Sequence, residues 1–284
     1  MRPGASGRPV RVLVCNCADP ASVNLRDRVL ETGTWEESNK QFRGRPVHSR
    51  SEAILVEVEG PTIRDEALDA DLRATNLPVR DVWFLSKHAA ASGQPSLTVH
   101  PIGNPDPAAE PRFGGRPGAF VPAASRDMGA LLRRLVVRRD EAKLPHQVTY
   151  EATHHGPFLS YPTLFVEIGS DDQWYRDEAS ARCVAAAIED VLSGEGKSTG
   201  PVYVGVGGGH YAPRATDVAK SGEADFGHLV PAHALHAASV LRDAVAATPG
   251  CAGVHVHHKG LNGEQRGKVL AWCAELGIAI ANPR

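Results

Sequence analysis

Histidine supplies most of the side chains in this sequence that could do acid–base or metal chemistry. Thirteen of the 284 residues are histidines, and more than half of them fall in four clusters at residues 86–88, 153–157, 207–214 and 255–260. Each cluster lies at or just beyond the end of a predicted strand. Histidine titrates near neutral pH and binds metals through its ring nitrogens. The clusters are therefore candidates for a general base or a metal ligand.

The four clusters occupy equivalent positions relative to the predicted strands. In open α/β sheets, ligands bind in the crevice outside the carboxyl ends of the strands. Four clusters placed in this way are more informative than any one of them alone. They predict a ligand site at the carboxyl edge of the sheet.

Two adjacent histidines stand out in the sequence Thr-His-His-Gly-Pro. On an extended backbone the side chains of His154 and His155 point to opposite faces, so at most one reaches a given reacting atom. We predict that His154 or His155 activates a water molecule, with His210 as a further catalytic residue. These three histidines and His228 are also the candidate metal ligands, although their spacing matches no metal motif.

A run of three glycines precedes His210. Gly207, Gly208 and Gly209 do not complete a dinucleotide-binding fingerprint, since histidine occupies the third glycine position and no strand-borne acid follows about 20 residues later. Their backbone N–H groups could bind an anionic oxygen of a substrate or of a tetrahedral intermediate. A tight turn between a strand and a helix is the alternative interpretation of this run.

The nucleophile is predicted to be water rather than a side chain. The sequence contains no Gly-x-Ser-x-Gly elbow of the kind that presents a catalytic serine. Its five cysteines include no Cys-x-x-Cys pair and lack the setting of a nucleophile. Their number and spacing favour a reduced compartment over a disulfide framework.

Short apolar runs rich in β-branched residues alternate with stretches of helical periodicity. Strands are predicted at residues 10–15, 53–58, 82–85, 97–100, 147–151, 163–168, 202–206, 253–257 and 278–280. Helices are predicted from Ser125, from Asp172 through Leu192, and from Asn262 to Gly277, each beginning at an N-cap residue. This alternation predicts an α/β fold with a mostly parallel or mixed sheet flanked by helices.

One domain accounts for this pattern of elements. Residues 1–9 are polar and rich in glycine and proline, and are predicted to form a flexible N-terminal extension. Residues 10–284 are predicted to form a single catalytic α/β domain without internal repeats. Within it, the proline- and glycine-rich segment 101–122 is a long functional loop, a partly disordered insertion or a hinge between two lobes.

Composition and charge exclude several classes of protein. At 42% hydrophobic and 23% charged residues, the sequence is typical of a soluble globular protein rather than a disordered one. A net charge of −2 argues against a protein that coats nucleic acid by bulk electrostatics. No stretch approaches the roughly 20 apolar residues that span a bilayer. We therefore expect a cytoplasmic protein that neither enters membranes nor binds DNA.

The charge is distributed unevenly along the chain. Residues 112–143 carry a net charge of +5, whereas residues 167–195 carry −6. The basic stretch includes four arginines of one predicted helix, Arg133, Arg134, Arg138 and Arg139. They either meet the phosphates of a ligand or form an ordinary solvated helix face.

The clusters, in this order, resemble the archaeal and plant type of D-aminoacyl-tRNA deacylase. The most specific match is the combination of His-His-Gly-Pro at 154–157 with Gly-Gly-Gly-His-Tyr-Ala-Pro-Arg at 207–214. Further matching stretches lie at residues 19–24, 86–88, 97–104, 162–169, 227–228 and 259–260. The resemblance covers nearly the whole chain apart from the first nine residues and the segment 106–122.

This resemblance implies hydrolysis of the ester that joins a D-amino acid to the terminal ribose of tRNA, including aldehyde-modified forms. It also implies a monomer that requires zinc, with a fold related to peptidyl-tRNA hydrolase and purine phosphorylases. His210, Arg214 and Lys87 would then hold the terminal adenosine and its phosphates. The other expected substrate-binding residues are His88, Gly207, Gly208, Gly209, Tyr211 and Lys259.

Two other functions remain open from the sequence. One is a zinc-dependent hydrolase of a small ester or amide that uses no tRNA, and its activity would be insensitive to ionic strength. The other is a non-catalytic protein that binds the end of tRNA but never releases the amino acid.

Overall fold

The computed structural model describes residues 8–108 and 110–282. Its strands are β1 Val10–Asn16, β2 Glu36–Phe42, β3 Arg45–Arg50, β4 Ala53–Val58, β5 Val79–Ala89, β6 Ser96–His100, β7 Gln147–Tyr150, β8 Thr163–Ser170, β9 Val202–Val206, β10 Asp225–Val230 and β11 Cys251–Val256. Its α-helices are α1 Pro20–Thr32, α2 Leu68–Ala74, α3 Ser125–Glu141, α4 Asp172–Tyr175, α5 Glu178–Leu192, α6 Pro213–Lys220, α7 Ala238–Ala246 and α8 Gly263–Leu276. Most of the predicted N-terminal extension, residues 1–7, lies outside the described residues.

The strands form two sheets of different size. The larger has eight strands in the order β2-β3-β4-β1-β5-β8-β6-β7, and the smaller has three in the order β10-β9-β11. In the larger sheet β4, β1, β5 and β8 run parallel, whereas β2–β3, β3–β4 and β8–β6 pair antiparallel. The smaller sheet is parallel throughout. The predicted α/β fold with a mostly parallel or mixed sheet flanked by helices is confirmed.

One hydrophobic cluster joins the two sheets. It includes Trp83 and Leu164 from the larger sheet, Phe226 and Leu229 from β10, and Leu131 from α3. Helix α3 contacts both β6 of the larger sheet and β10 of the smaller one, so it holds the two sheets over a shared core. The single-domain organisation stays a prediction.

Three strands escape the sequence prediction. β2 and β3 form a hairpin at the edge of the larger sheet, and β2 is polar and largely exposed. β10 is fully buried but carries Asp225 and His228, which break its apolar pattern. Conversely, the predicted strand 278–280 is reduced to a single bridge between Ile280 and Val254. Polar edge strands and buried polar side chains both hide the signal that marks a strand.

The helix ends agree with the sequence prediction only in part. Helix α8 begins with a capping box formed by Asn262 and Gln265 and ends at Gly277 in the left-handed conformation, as predicted. Helix α3 begins where predicted, but Ser125 is its first helical residue rather than its N-cap, and no side chain caps this end.

The predicted helix from Asp172 through Leu192 is instead two helices. Asp171 caps α4 and Asp177 caps α5, each through its carboxylate and the backbone N–H groups of the first turn. The second cap starts a new helix after α4 ends at Tyr175, and the predicted N-cap at Asp172 is wrong by one residue. Among the helices of the described residues, none is long and apolar enough to cross a membrane.

The basic face of α3 is neutralised within the protein. Arg134 and Arg138 both donate to Asp190 of α5, at 2.8 and 2.6 Å. The other two arginines of the predicted basic stretch, Arg133 and Arg139, also bind acceptors inside the protein. These four arginines therefore find their partners in the fold, notably at Asp190 of the acidic stretch, rather than in the phosphates of a ligand.

A buried ion pair ties β1, β5 and α3 together. Arg11 of β1 is 1% exposed and donates to both oxygens of Asp81 in β5, at 2.6 and 2.9 Å. Asp127 of α3 accepts from the same guanidinium at 2.6 Å. This guanidinium also stacks 3.6 Å above the ring centroid of Trp83.

Candidate active site

Polar side chains on one face of the larger sheet meet over β5, β6 and β8. By the two-residue period of strands, His88 of β5, His100 of β6 and Glu167 of β8 share a face, and Glu151 directly follows β7. Because β6 and β7 run antiparallel to β8, these side chains converge from both directions, and the predicted single carboxyl edge is wrong. We call the complete group the His–Glu cluster, with the members His88, His100, Glu151, His154, His155, Glu167 and His210.

Glu151 is the centre of the cluster. Its side chain is fully buried, and His210 Nε2 and His88 Nδ1 lie 2.8 and 3.0 Å from its two oxygens. His154 Nε2 lies 3.6 Å from the same carboxylate. Burial alone would raise the pKa of Glu151, but the close His210 and His88 rings outweigh it and hold the pKa well below its usual range. Glu151 is therefore an anion among histidines.

Glu167 and His100 form a second buried acid–histidine pair. His100 Nε2 lies 3.6 Å from Glu167 Oε2, and the Thr98 hydroxyl donates to the same oxygen at 3.4 Å. Burial raises the pKa of Glu167. Burial would lower the pKa of His100, but the facing Glu167 raises it overall. The pair lies beneath the more accessible histidines of the cluster.

His154 and His155 both face the cluster. Their ring centroids lie 4.4 Å apart, and each lies within 5 Å of the His100 ring. The prediction that they point to opposite faces is wrong, because His155 has a φ of 45° and the backbone is not extended there.

The ring nitrogens of these two histidines are fixed by the backbone. His154 Nδ1 donates to Ala152 O and His155 Nδ1 donates to Gly156 O, each at 2.7 Å. Burial lowers the pKa of His154 to about 3 and that of His155 well below its usual range. Both rings are therefore neutral, and each Nε2 keeps a free lone pair for a proton or a metal ion.

His210 and Tyr211 reach the cluster from the loop after β9. This loop pairs with the chain after β7, since Ala152 N donates to His210 O at 2.7 Å and Tyr211 forms an antiparallel bridge with Glu151. The Tyr211 hydroxyl lies 2.9 Å from His88 Nε2. The pairing thus sets His210 beside the carboxylate and connects Tyr211 to it through His88.

Most of the glycine run is not available to bind an oxyanion. Gly207 N donates to Val230 O at 2.9 Å and Gly208 N donates to Gly260 O at 3.1 Å. The prediction of an oxyanion site is therefore wrong for these two glycines, whose N–H groups hold the smaller sheet together. Gly209 N makes no hydrogen bond to the part of the chain that the structure describes, and it stays a candidate donor.

A cavity of about 620 Å³ opens onto the cluster. Lys87, His88 and His210 line it together with Asp19 and Phe113. The structure therefore brings the predicted binding residues Lys87 and His88 to the same cavity as the catalytic candidate His210.

The remaining predicted binding residues lie along the edge of the smaller sheet. Arg214 and His257 line a small cavity beside Gly207, and Lys259 is exposed in the short 3₁₀ helix that follows β11. The structure does not bring Arg214 and Lys259 into the His–Glu cluster.

His228 has a structural environment rather than that of a metal ligand. It is fully buried in β10, where its Nε2 donates to Val121 O at 2.8 Å and its Nδ1 accepts from the Thr153 hydroxyl at 3.1 Å. Both ring nitrogens are engaged, so neither is free for a metal, and His228 leaves the set of candidate ligands.

The burial of His228 makes the stability of the fold depend on pH. Burial lowers its pKa from about 6.5 to about 4, so the native state binds a proton less readily than the unfolded chain. Its contribution is complete above about pH 6.5 and is lost as the pH falls towards about 4. We expect this group alone to lower the free energy of unfolding by about 2 kcal/mol between pH 7 and pH 5.

Urea unfolding at both pH values measures this effect. A His228→Gln variant keeps a donor for the carbonyl but cannot titrate. The change in its unfolding free energy between pH 7 and pH 5 should therefore be about 2 kcal/mol smaller than in the wild-type protein. An equal pH dependence in both proteins would contradict the assignment.

Donor atoms of the cluster fit a metal ion. Three sets of ligand atoms lie within 4.8 Å of one another, namely His100–His154–His155, His88–Glu151–His210 and His100–Glu151–Glu167. Neither Glu151 oxygen nor His100 Nε2 makes a hydrogen bond of normal geometry to the described residues, although all three atoms are buried. Imidazole and carboxylate are ligands that zinc and related metals prefer. The cluster could therefore hold a metal.

Two acids of the cluster were not among the sequence candidates. Glu151 ends the predicted strand 147–151, directly before the His-His motif, and Glu167 is the only charge in an apolar run. An acid inside a buried strand needs partners, and that requirement is the signal that could have identified Glu167. For Glu151 the signal is its position at a strand end among the histidine clusters.

The fold and the cluster together define a class of enzyme. A buried carboxylate orients histidines beside a cavity, on an α/β scaffold, and within the described residues no serine or cysteine makes a hydrogen bond to a histidine or carboxylate of this cluster. This is the arrangement of a hydrolase that activates water.

Comparison with known proteins identifies the family. A family model for D-aminoacyl-tRNA deacylase matches residues 75–281. D-aminoacyl-tRNA deacylases of Pyrococcus furiosus and Thermococcus kodakarensis are each 32% identical over 273 residues, covering 95% of this chain and 98% of the relative. The crystal structure of a conserved protein of unknown function superposes with a TM-score of 0.85 at 28% identity, covering 96% of this chain and 94% of its own. The chain belongs to the D-aminoacyl-tRNA deacylase family.

Proposed function

We propose that this protein hydrolyses the ester bond of D-aminoacyl-tRNA and releases the free D-amino acid and tRNA. Membership of the deacylase family supports this activity. The anionic Glu151, enclosed by His88, His154 and His210 at the edge of a cavity, supports it most directly. The proposal includes aldehyde-modified D-aminoacyl-tRNA as a further substrate.

The tRNA is proposed to bind mainly through its acceptor end. The net charge of −2 favours a small RNA footprint, and internal pairing removes the α3 arginines Arg134 and Arg138 from it. Lys87 lies in the cavity beside the cluster, where it can meet a phosphate or the developing oxyanion. We propose a monomer that acts where aminoacyl-tRNA is used, in the cytoplasm, and that does not bind DNA.

His210 is the proposed general base. Its Nε2 lies 2.8 Å from the Glu151 carboxylate and its side chain is 47% exposed, so the anion favours the proton on Nε2 and leaves Nδ1 as the basic nitrogen. Nδ1 takes a proton from water as the water oxygen attacks the ester carbonyl carbon. When the tetrahedral intermediate collapses, the same proton passes to the departing ribose oxygen. Gly209 N–H and Lys87 are the proposed donors to the oxyanion.

The neutral His154 and His155, with His100, are the proposed ligands of a zinc ion. Their free Nε2 atoms and the nearby carboxylates suit such an ion. When bound, zinc would act as a Lewis acid at this position. His154 and His155 also stay alternative bases, because their Nε2 lone pairs face the cluster.

The decisive experiment compares the hydrolysis of D-tyrosyl-tRNA and L-tyrosyl-tRNA, with and without a metal chelator. We expect rapid release of D-tyrosine, little release of L-tyrosine, and loss of activity after chelation that added zinc restores. Equal hydrolysis of both substrates would contradict chiral selection, and indifference to the chelator would remove the metal from the mechanism.

Variants of the two adjacent histidines test whether either residue takes part in catalysis. If His154→Ala and His155→Ala both keep the full rate of hydrolysis, neither residue takes part in catalysis. A rate that does not fall with rising ionic strength would favour a hydrolase of a small ester over one that acts on tRNA.

A further inference from the structure

Phe113 is an exposed aromatic residue beside the His–Glu cluster. It is 60% exposed, more than the other large apolar side chains that are exposed among the described residues. It lines the 620 Å³ cavity together with His154 and His155, and the same three residues line a second cavity on the other side. A single exposed apolar side chain is common on protein surfaces, so it is the position of Phe113 in the lining of this cavity that points to a ligand.

The segment that carries Phe113 is held on three sides. Gly156 N donates to Phe113 O at 3.1 Å, which ties the backbone of Phe113 to the His-His-Gly motif. Asn104 Nδ2 donates to Gly114 O at 2.9 Å and Gly115 N donates to Glu66 Oε1 at 2.9 Å. The Phe113 backbone is therefore fixed relative to the cluster although its side chain is exposed.

Close backbone packing fixes this segment further. A Cβ atom on Gly114, which has a φ of 76°, would collide with the carbonyl oxygen of Ile63, and one on Gly156 would collide with Gly115 N. The chain passes through this gap only because both positions are glycine. Residues 113–115 are thus held in place by their backbone contacts, which reduces the entropy lost when Phe113 binds a ligand.

The terminal base of the tRNA is the part of the substrate that suits the uncharged aromatic ring of Phe113. In a D-aminoacyl-tRNA the ester joins the amino acid to the terminal ribose, so the terminal base is one sugar away from the reacting carbonyl. Unpaired bases are bound by stacking on aromatic side chains. We propose that Phe113 stacks on the terminal adenine of tRNA and positions the ester over the His–Glu cluster, an inference that rests on the proposed function.

Inhibition by uncharged tRNA tests this proposal, because the inhibition constant reports binding of the tRNA end and does not depend on how fast the ester is cleaved. The two probes are tRNA ending in CCA and the same tRNA without its terminal adenosine, each competing with D-tyrosyl-tRNA. We expect Phe113→Ala to raise the inhibition constant of the complete tRNA about 5- to 100-fold and to leave that of the trimmed tRNA unchanged. Phe113→Trp should keep the affinity of the wild-type protein.

Leu270→Ala is the matched control, since it removes another exposed apolar side chain, on α8, and should change neither constant. An equal loss of affinity for both tRNAs, or no loss for either, would overturn the stacking proposal. An effect seen only with charged tRNA would overturn it in favour of contact with the amino acid. Failure of the wild-type protein to hydrolyse D-tyrosyl-tRNA would instead contradict the proposed function itself.

Discussion

Replacing Glu151 with glutamine is expected to lower the rate of D-aminoacyl-tRNA hydrolysis about 10³- to 10⁴-fold. Glutamine has the same shape as glutamate but carries no charge. The variant loses the anion that His210 and His88 approach at 2.8 and 3.0 Å. Without this charge, the proton on His210 Nε2 is held less strongly, and the imidazolium that forms when Nδ1 takes a proton from water is no longer stabilised by an anion.

Steady-state kinetics over a range of D-tyrosyl-tRNA concentrations measure this effect. Because Glu151 is fully buried and should not touch the substrate, kcat should fall while KM changes little. Glu264→Gln on the exposed face of α8 is the control and should keep the full rate. A Glu151→Gln enzyme that folds normally and retains more than a tenth of the wild-type rate would refute the role of this carboxylate.

Replacing Arg11 with methionine is expected to lower the free energy of unfolding by about 3–5 kcal/mol. Methionine fills a similar volume, but Asp81, 3% exposed, then loses the guanidinium that binds both of its oxygens and keeps only the partly exposed Arg80, which reaches one of them. The contact with Asp127 and the stacking on Trp83 are lost as well. Stability rather than catalysis should change, because Arg11 lies outside the His–Glu cluster.

Urea denaturation followed by circular dichroism gives the unfolding midpoint. Arg176→Met is the comparison, since it breaks an ion pair with Asp172 in which both side chains are about two-thirds exposed, and such a pair contributes at most about 1 kcal/mol. If both variants lose the same small amount of stability, the buried pair does not hold β1, β5 and α3 together.

Strands that consist of buried apolar residues are predicted well from the sequence. Strands such as Ala53–Val58 and Val202–Val206 were predicted with their observed bounds, because buried strands consist of continuous apolar residues. The capping box at Asn262 is a local signal and was also correct. The polar strand Glu36–Phe42 was not predicted, because its pairing with a neighbour is what makes it a strand.

The candidate site was predicted in composition rather than in arrangement. The sequence singled out His88, His154, His155 and His210, and the structure places all four in one cluster with Glu151. Which way a side chain points depends on single backbone dihedral angles, such as the positive φ at His155, and no periodicity encodes these.

Contacts between distant segments were equally invisible in the sequence. The N–H groups of Gly207 and Gly208 looked available, but strand ends and loops far along the chain accept them. Phosphate binding was one interpretation of the charge of Arg138, but in the fold its guanidinium binds Asp190. Burial and partner choice are properties of the assembled fold, so they follow from tertiary packing rather than from local pattern.

The bridge between Glu151 and Tyr211 makes the proposed site depend on both sheets. The carboxylate follows the larger sheet and the proposed base His210 follows the first strand of the smaller one, so neither sheet alone holds both. A chain still emerging from the ribosome has the acid but lacks the base until residues far towards its C-terminus have docked. The proposed activity therefore requires that both sheets have folded and that the loop after β9 has paired with the chain after β7.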